Sequence, residues 1–326
     1  MQYTTLGKTG LEVSVAGLGC GGNSRIGLGA GKSEAESIAL VRAALDLGVN
    51  YFDTAALYGT EPILGKAITP TDRPKVVIST KAHIHSKDRQ GSGVLPASEV
   101  IASLEQSLRN LNTDYVDAFL LHGVTPAALS PARSDIVPAL LKEKAKGKFR
   151  HLGITETAAR DAEHTMLDRA LEDEYWEVVM LAFHLMHQNA RKIVFPRTLE
   201  RGVGTLLMFV VHNIFSQPEL LAEIARKLAE AGKLPSSLAA RGNPLDFLVH
   251  PSGAESLIDA AYRYVRHEPG VDVALFGTGS IAHLKSNVAS ILRAPLPDAD
   301  RKRVSEAFGH LVGVGLDLPD YVAKRA

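Results

Sequence analysis

The chain has 326 residues, 45% of them hydrophobic and 22% charged, with 36 basic and 36 acidic side chains in balance. That neutrality removes the electrostatic case for nucleic acid or an anionic membrane as a partner, and no apolar run approaches the ~20 residues needed to cross a bilayer. Cys20 is the only cysteine, which excludes an internal disulfide and a multi-cysteine zinc site.

Taken in chain order, residues 3–6 and 12–14 are short extended runs joined by Gly7-Lys8-Thr9-Gly10 and predict a β-hairpin. Residues 15–20 read as a buried strand, followed by a glycine-rich loop over 21–31. Ser33 and Glu36 have capping-box spacing ahead of a helix over 37–47. Strands then fall at 50–53, 76–80 and 115–121, with helices at 61–68, 98–111 and 135–146. The second half keeps the rhythm, with strands at 151–154, 178–182, 204–209 and 273–276 and helices at 158–171, 190–201, 218–231, 255–266 and 282–292. Short strands that are apolar nearly throughout suit a parallel sheet covered on both faces. Eightfold alternation over this length predicts a closed α/β TIM barrel, (β/α)8, carrying an N-terminal β-hairpin. No linker rich in Gly, Pro or Ser divides the chain, so 1–326 is expected to be one domain. The stretch 233–253 holds Pro235, Gly242, Pro244, Pro251 and Gly253 without clear period, and is expected to lie over the active site. The N-terminus, Met1-Gln2-Tyr3-Thr4, lacks the charged and apolar regions of a signal peptide, and a cytoplasmic location is expected.

Four side chains stand out against this frame. Asp53 closes Asn50-Tyr51-Phe52-Asp53, Lys81 follows Val76-Val77-Ile78-Ser79-Thr80, and His122 ends the apolar run 116–121. Tyr58 lies a few residues beyond Asp53. Barrels of this type project reacting groups from C-terminal strand ends, so neighbouring strands can converge these four. A free phenol has a pKa near ~10, and an adjacent ammonium lowers it. Lys81 is the expected ammonium, with Asp53 holding it charged and aimed. His122 could hydrogen-bond a substrate oxygen beside Tyr58. Acid–base assistance of this kind is worth roughly 100- to 10,000-fold. No side chain donates hydride, so a nicotinamide cofactor is implied. Each residue alone has a plainer role: a helix cap, packing, a solvated amine, a structural imidazole. Their conjunction at three successive strand ends argues for a site.

Other patterns compete less well. Gly17-Leu18-Gly19-Cys20-Gly21-Gly22 matches the dinucleotide fingerprint, but further glycines continue the loop where a helix would have to open. His184 and His187 have a metal-like spacing with no third ligand in view, and are read as strand-end packing and solvent contacts; no metal site is expected. Lys81 could alternatively serve as the Schiff-base nucleophile of a barrel aldolase.

The segments Leu6-Gly7-Lys8-Thr9-Gly10-Leu11-Glu12-Val13-Ser14, Gly17-Leu18-Gly19-Cys20, Asn50-Tyr51-Phe52-Asp53-Thr54-Ala55, Tyr58-Gly59, Ser79-Thr80-Lys81 and Leu120-Leu121-His122 resemble the aldo-keto reductases. The resemblance runs from the hairpin to the helix bearing His283 and Asn287. It implies that Asp53, Tyr58, Lys81 and His122 form the family's catalytic tetrad, with Tyr58 as general acid in reduction. It implies NADP(H) as cofactor, with NAD(H) the alternative, and a small-molecule carbonyl or alcohol as substrate. Gly19, Cys20, Asp53, Met208 and Phe209 are placed along the cofactor, as are Gly277, Thr278, Gly279 and Ser280 at its phosphates. Asn23, Leu57, His83 and Gly123 are placed at the substrate mouth. Three departures are visible. Thr155 and Glu156 stand where the family has Ser-Asn at the nicotinamide carboxamide, Met180 replaces a Gln, and His283 replaces an Arg four residues before Asn287. Some family barrels act as cofactor-binding regulatory subunits with little turnover, which is a further alternative to an enzyme.

Overall fold

Successive residues of a strand face opposite sides of a sheet, and here that parity separates two cores. Tyr51, Val77, Ala118, Leu120, Val178 and Leu206 fill the inside of the sheet. Their neighbours Phe52, Ile78, Phe119, Leu121, Val179 and Leu207 pack outward against the helices. The computed structural model describes residues 1–85 and 93–316. Those residues form β1 (Tyr3–Thr5), β2 (Glu12–Ser14), β3 (Ala16–Gly19), β4 (Tyr51–Asp53), β5 (Val77–His83), β6 (Val116–Val124), β7 (Phe149–Glu156), β8 (Val178–Ala182), β9 (Gly204–Met208) and β10 (Val273–Phe276). The last eight are parallel and close into a barrel in the order β10-β3-β4-β5-β6-β7-β8-β9. The fold is the (β/α)8 barrel that the alternation predicts.

β1 and β2 form the antiparallel hairpin. Its turn donates from Gly7 N–H to Asp272 at 3.1 Å and from Lys8 N–H to the Gly202 carbonyl at 2.7 Å. Gly202 and Asp272 immediately precede β9 and β10, so the hairpin covers the N-terminal end of the barrel and leaves the C-terminal end open. The capping box is present: Ser33 Oγ accepts from Glu36 N–H, and the Glu36 carboxylate accepts from Ser33 N–H, starting the helix Glu34–Asp46.

Several boundaries differ from the sequence expectation, each for a local reason. The helix expected over 158–171 is limited to Thr165–Ala170, because Asp161 takes the N–H groups of Thr165 and Met166 and His164 adopts a left-handed φ of 55°. The helix expected over 190–201 is two, Ala190–Ile193 and Phe195–Arg201, with Pro196 opening the second. β9 ends at Met208, and Phe209 turns away with φ 63°. The stretch 233–253 does not cover the open end. It folds through the short turns Ser236–Ala239 and Asp246–Leu248 and packs on the helix Asp298–Phe308, where His250 meets Asp300 at 2.9 Å and Arg303 lies 3.9 Å from the Phe247 ring centre. Among the described residues no helix is long and apolar enough to cross a membrane.

Candidate active site

The parity that turns Tyr51, Val77 and Ala118 inward carries on to Asp53, Lys81 and His122 at the C-terminal strand ends. Lys81 is fully buried, with its Nζ 2.7 Å from both carboxylate oxygens of Asp53 and 2.8 Å from the Thr54 carbonyl. Ser79 Oγ donates to the same carboxylate at 2.7 Å, so Asp53 is oriented from two sides. All three ammonium donors have acceptors. A Schiff-base nucleophile needs a free, unprotonated amine, and this one is ion-paired and does not line the cavity, which removes the aldolase reading.

Tyr58 stands on a short turn, Ala56–Tyr58, and its ring lies 5.0 Å from Lys81 Nζ. Gly21 makes room for it: a Cβ at that position would come within 2.5 Å of the Tyr58 ring. The Tyr58 hydroxyl sits 3.4 Å from His122 Nε2, with the rings edge-to-face. A register shift between Leu121 and Val124, with Gly123 at φ 65°, breaks the β6 ladder directly after His122. Gly123 is pinned there by donating to Thr155 Oγ1 and accepting from His85 Nε2 and Thr157 Oγ1, each at 2.7 Å.

Lys81 does not lower the phenol pKa as the sequence predicts. Burial, then Asp53 and Cys20, push Tyr58 well above its ordinary value. Burial of the phenol dominates, and the Asp53 carboxylate beside Lys81 opposes the phenolate. Burial, followed by Lys81, His83 and His85, holds His122 well below the usual imidazole value. Tyr58 is therefore a neutral phenol beside a neutral imidazole, a pair able to donate a proton to a polarised oxygen.

A cavity of ≈2110 Å³ opens at this end of the barrel. That exceeds the ~300–1,000 Å³ of a drug-sized site and gives room for an extended dinucleotide and a small substrate together. Of the residues expected at the cofactor, Gly19, Asp53, Thr155, Glu156, Met180, Met208, Phe209, Gly277, Thr278, His283 and Asn287 line it. Cys20, Gly279 and Ser280 do not. The Cys20 side chain is buried behind β3, Gly279 is packed so closely that a Cβ would meet Gly27 at 2.8 Å, and the Ser280 hydroxyl caps the helix Ile281–Leu292. Asn23, Leu57, His83 and Gly123 all line the mouth. The donor set fits a dinucleotide. Tyr58 and His122 line the cavity together with Thr278, Ser286, Asn287 and the N-terminal part of the helix Ile281–Leu292.

His85, Thr157 and Tyr262 also line the cavity and were missed from sequence. His85 was findable, since it repeats the parity of His83 and Lys81. Tyr262 sits inside a helix and carried no local signal. His184 and His187 are fully buried, so the expected solvent contact is wrong for both. Among the described residues no group of three or more His, Cys, Asp or Glu side chains could hold a metal ion.

A sequence model of the aldo/keto reductase family matches residues 17–308. The aldo-keto reductase YhdN of Bacillus subtilis is 26% identical over 94% of this chain and 93% of its own length. The L-galactose dehydrogenase of Arabidopsis thaliana is likewise 26% identical, over 94% of this chain and 93% of its own length. Among solved structures, the holo form of the aldo-keto reductase AKR11C1 from Bacillus halodurans superposes with a TM-score of 0.73 over 97% of this chain and 100% of its own, at 22% identity. The last likeness speaks to the barrel alone, but the family match spans nearly the whole of it: the chain belongs to the aldo/keto reductase family and is an NAD(P)H-dependent carbonyl oxidoreductase.

Proposed function

We propose that this protein reduces an aldehyde or ketone to the alcohol, with Tyr58 as the proton donor. The observation that carries this is the Tyr58 hydroxyl, 3.4 Å from His122 Nε2, on the wall of a cavity large enough for cofactor and substrate. The chemistry supplied by the bound cofactor is hydride transfer to the carbonyl carbon. Tyr58 donates its proton to the carbonyl oxygen, and the same hydroxyl takes the proton back in alcohol oxidation. His122, neutral and edge-on to Tyr58, presents Nε2 to that oxygen and orients it. Lys81 and Asp53 act as a rigid buried support that places a positive group 5.0 Å from the Tyr58 ring, where it opposes charge separation less than bare hydrocarbon would.

Thr155 is the proposed carboxamide contact; the Glu156 side chain beside it is fully buried, accepting from Ala182 N–H and paired with His164, and does not reach the cavity. Thr155 Oγ1 already accepts from Gly123 N–H, which leaves its hydroxyl hydrogen for the carboxamide oxygen. NADP(H) is the proposed cofactor and NAD(H) the alternative. Ser286 and Asn287 give the far end hydrogen-bonding capacity, while an imidazole at His283 is a weaker phosphate clamp than a guanidinium. The mouth carries His83, His85 and Asn23, polar groups that suit a hydroxylated carbonyl, and one relative is named for its action on L-galactose.

The test is initial rates with NADPH and NADH against alkanals, ketones and short aldoses, followed by loss of reduced cofactor. Tyr58→Phe should lower turnover by roughly 100-fold or more with cofactor affinity nearly unchanged. Wild-type turnover in that variant would remove Tyr58 from the chemistry. Tight cofactor binding without turnover on any carbonyl would favour a regulatory subunit.

A further inference from the structure

The imidazole beside Tyr58 has no tether of its own. His122 Nδ1 is buried without a hydrogen-bond partner, and Nε2 meets the Tyr58 hydroxyl at 3.4 Å. Where a second ring nitrogen is bonded, that bond aims the ring; here the aim comes from packing and from the backbone that carries the residue. That backbone is irregular. The ladder between β6 and β7 breaks between Leu121 and Val124, and Gly123 takes φ 65°. Without a Cβ, a glycine ranges widely in φ and ψ unless its peptide groups are held. Both groups of Gly123 are held, from the strands on either side of β6. After β5, His85 Nε2 donates to the Gly123 carbonyl at 2.7 Å. After β7, Thr157 Oγ1 donates to the same carbonyl at 2.7 Å, while Thr155 Oγ1 accepts from Gly123 N–H at 2.7 Å. A carbonyl only accepts, so His85 Nε2 carries a hydrogen, the single hydroxyl hydrogen of Thr157 is committed, and both lone pairs of the oxygen are used. His85 is itself placed by the sheet: it continues the parity of Lys81 and His83, His83 lies opposite His122 in the β5–β6 register, and the His85 backbone pairs with Val94. Only glycine fits between the clamping groups, since a Cβ on Gly123 would come within 2.9 Å of Thr157 Oγ1.

We propose that His85 and Thr157 are positioning residues for His122: by clamping the Gly123 carbonyl from both neighbouring strands they fix the irregular backbone that follows His122, and with it the direction in which Nε2 is presented. This rests on His122 orienting the carbonyl of the substrate beside Tyr58. Peptide units are planar, so a carbonyl held from two sides and an N–H held by Thr155 leave Gly123 one pair of dihedrals. Releasing the carbonyl frees those dihedrals and lets the untethered ring drift. Misplacing a reacting group by about 1 Å costs up to roughly 100-fold in rate. Neither His85 nor Thr157 is among the proposed cofactor contacts, so the effect falls on turnover and spares cofactor affinity. Because it passes through His122, it also disappears once His122 is replaced. A merely structural residue shows neither selectivity.

The experiment measures single-turnover rates with enzyme in excess, from the absorbance of the reduced cofactor, together with the Kd of that cofactor by titration calorimetry. The variants are His85→Leu, Thr157→Val, Thr157→Ser and His122→Gln, and the first two each combined with His122→Gln. His85→Leu and Thr157→Val should each lower the rate about tenfold, with the cofactor Kd within about twofold of wild type. Thr157→Ser, which keeps the hydroxyl, should recover the rate. Beside His122→Gln, neither His85→Leu nor Thr157→Val should lower the rate by more than about twofold. A wild-type rate in both single variants, or a loss matched by the cofactor Kd, would overturn the inference. So would a tenfold loss that persists beside His122→Gln, because the two residues would then act on something other than His122. If one of the two variants does not fold, the other decides by the same comparison. Wild type that turns over no carbonyl would remove the reductase reading, and a wild-type rate in His122→Gln would remove His122 from the chemistry; the inference falls with either.

Discussion

Replacing Asp53 by Asn tests whether the buried ion pair holds the site together. The substitution keeps shape and leaves the Ser79 hydroxyl a partner, but it strips the carboxylate charge from a fully buried Lys81. At 2.7 Å two unit charges attract by about 6 kcal/mol at an effective dielectric near 20. Desolvation cancels part of this, and breaking buried pairs from one side costs about 3–5 kcal/mol. We expect Asp53→Asn to lose about 3 kcal/mol in urea unfolding. Lys81→Met should lose a similar amount, and the double variant Asp53→Asn/Lys81→Met should recover most of one loss, because no charge is then left without a partner. The cycle is read as a coupling energy from the four unfolding curves. A single-variant loss under about 1 kcal/mol, or losses that simply add in the double variant, would refute the claim that these two groups depend on each other. Turnover should fall in all three variants, since each removes the support under Tyr58.

Two further predictions come from burial and from close packing. His187 is fully buried, and burial, then His164, hold its imidazole down at about 3. An unfolded histidine titrates near ~6.5, so the neutral folded form contributes stability above that pH and loses it as pH falls, by about 2 kcal/mol at pH 5. His184 and His122 act in the same sense, while the raised value of His164 acts oppositely, with its contribution complete below ~6.5 and lost as pH rises through the folded value. His187→Leu should flatten the fall in urea-unfolding stability between pH 7.5 and pH 5, and an unchanged slope would show that His187 is not neutral in the folded protein. Gly21→Ala places a methyl within 2.8 Å of three ring atoms of Tyr58, which must move. Turnover should drop by at least tenfold, up to roughly 100-fold for a displacement near 1 Å, with far-ultraviolet circular dichroism unchanged; wild-type turnover would mean that Tyr58 tolerates the shift.

The strands were legible because their signal is local: a short apolar run between turn residues is the same whatever surrounds it. The helix over 158–171 misled because its apolar period was present but the N–H groups of Thr165 and Met166 were taken by the Asp161 side chain, a competition that periodicity does not reveal. The loop over 233–253 misled for a related reason, since nothing local distinguishes a segment that covers the site from one that packs on the helix Asp298–Phe308.

Within the proposed site the division is similar. From sequence alone Asp53, Lys81 and His122 could be put at strand ends, because strand parity and chain order are properties of the chain. Closure of the barrel decided the rest. It brought Asp53 and Lys81 to 2.7 Å and buried Tyr58 beside that carboxylate, so the phenol is pushed up and not down. It also buried Glu156 against His164, a contact between two residues eight apart whose meaning depends on Asn189 and Ala182 from elsewhere in the chain. Residue type and order determined which groups could meet. Distances, desolvation and the balance of charge arise only when separate strands are brought to one end of the barrel, and these set the protonation states on which the chemistry depends.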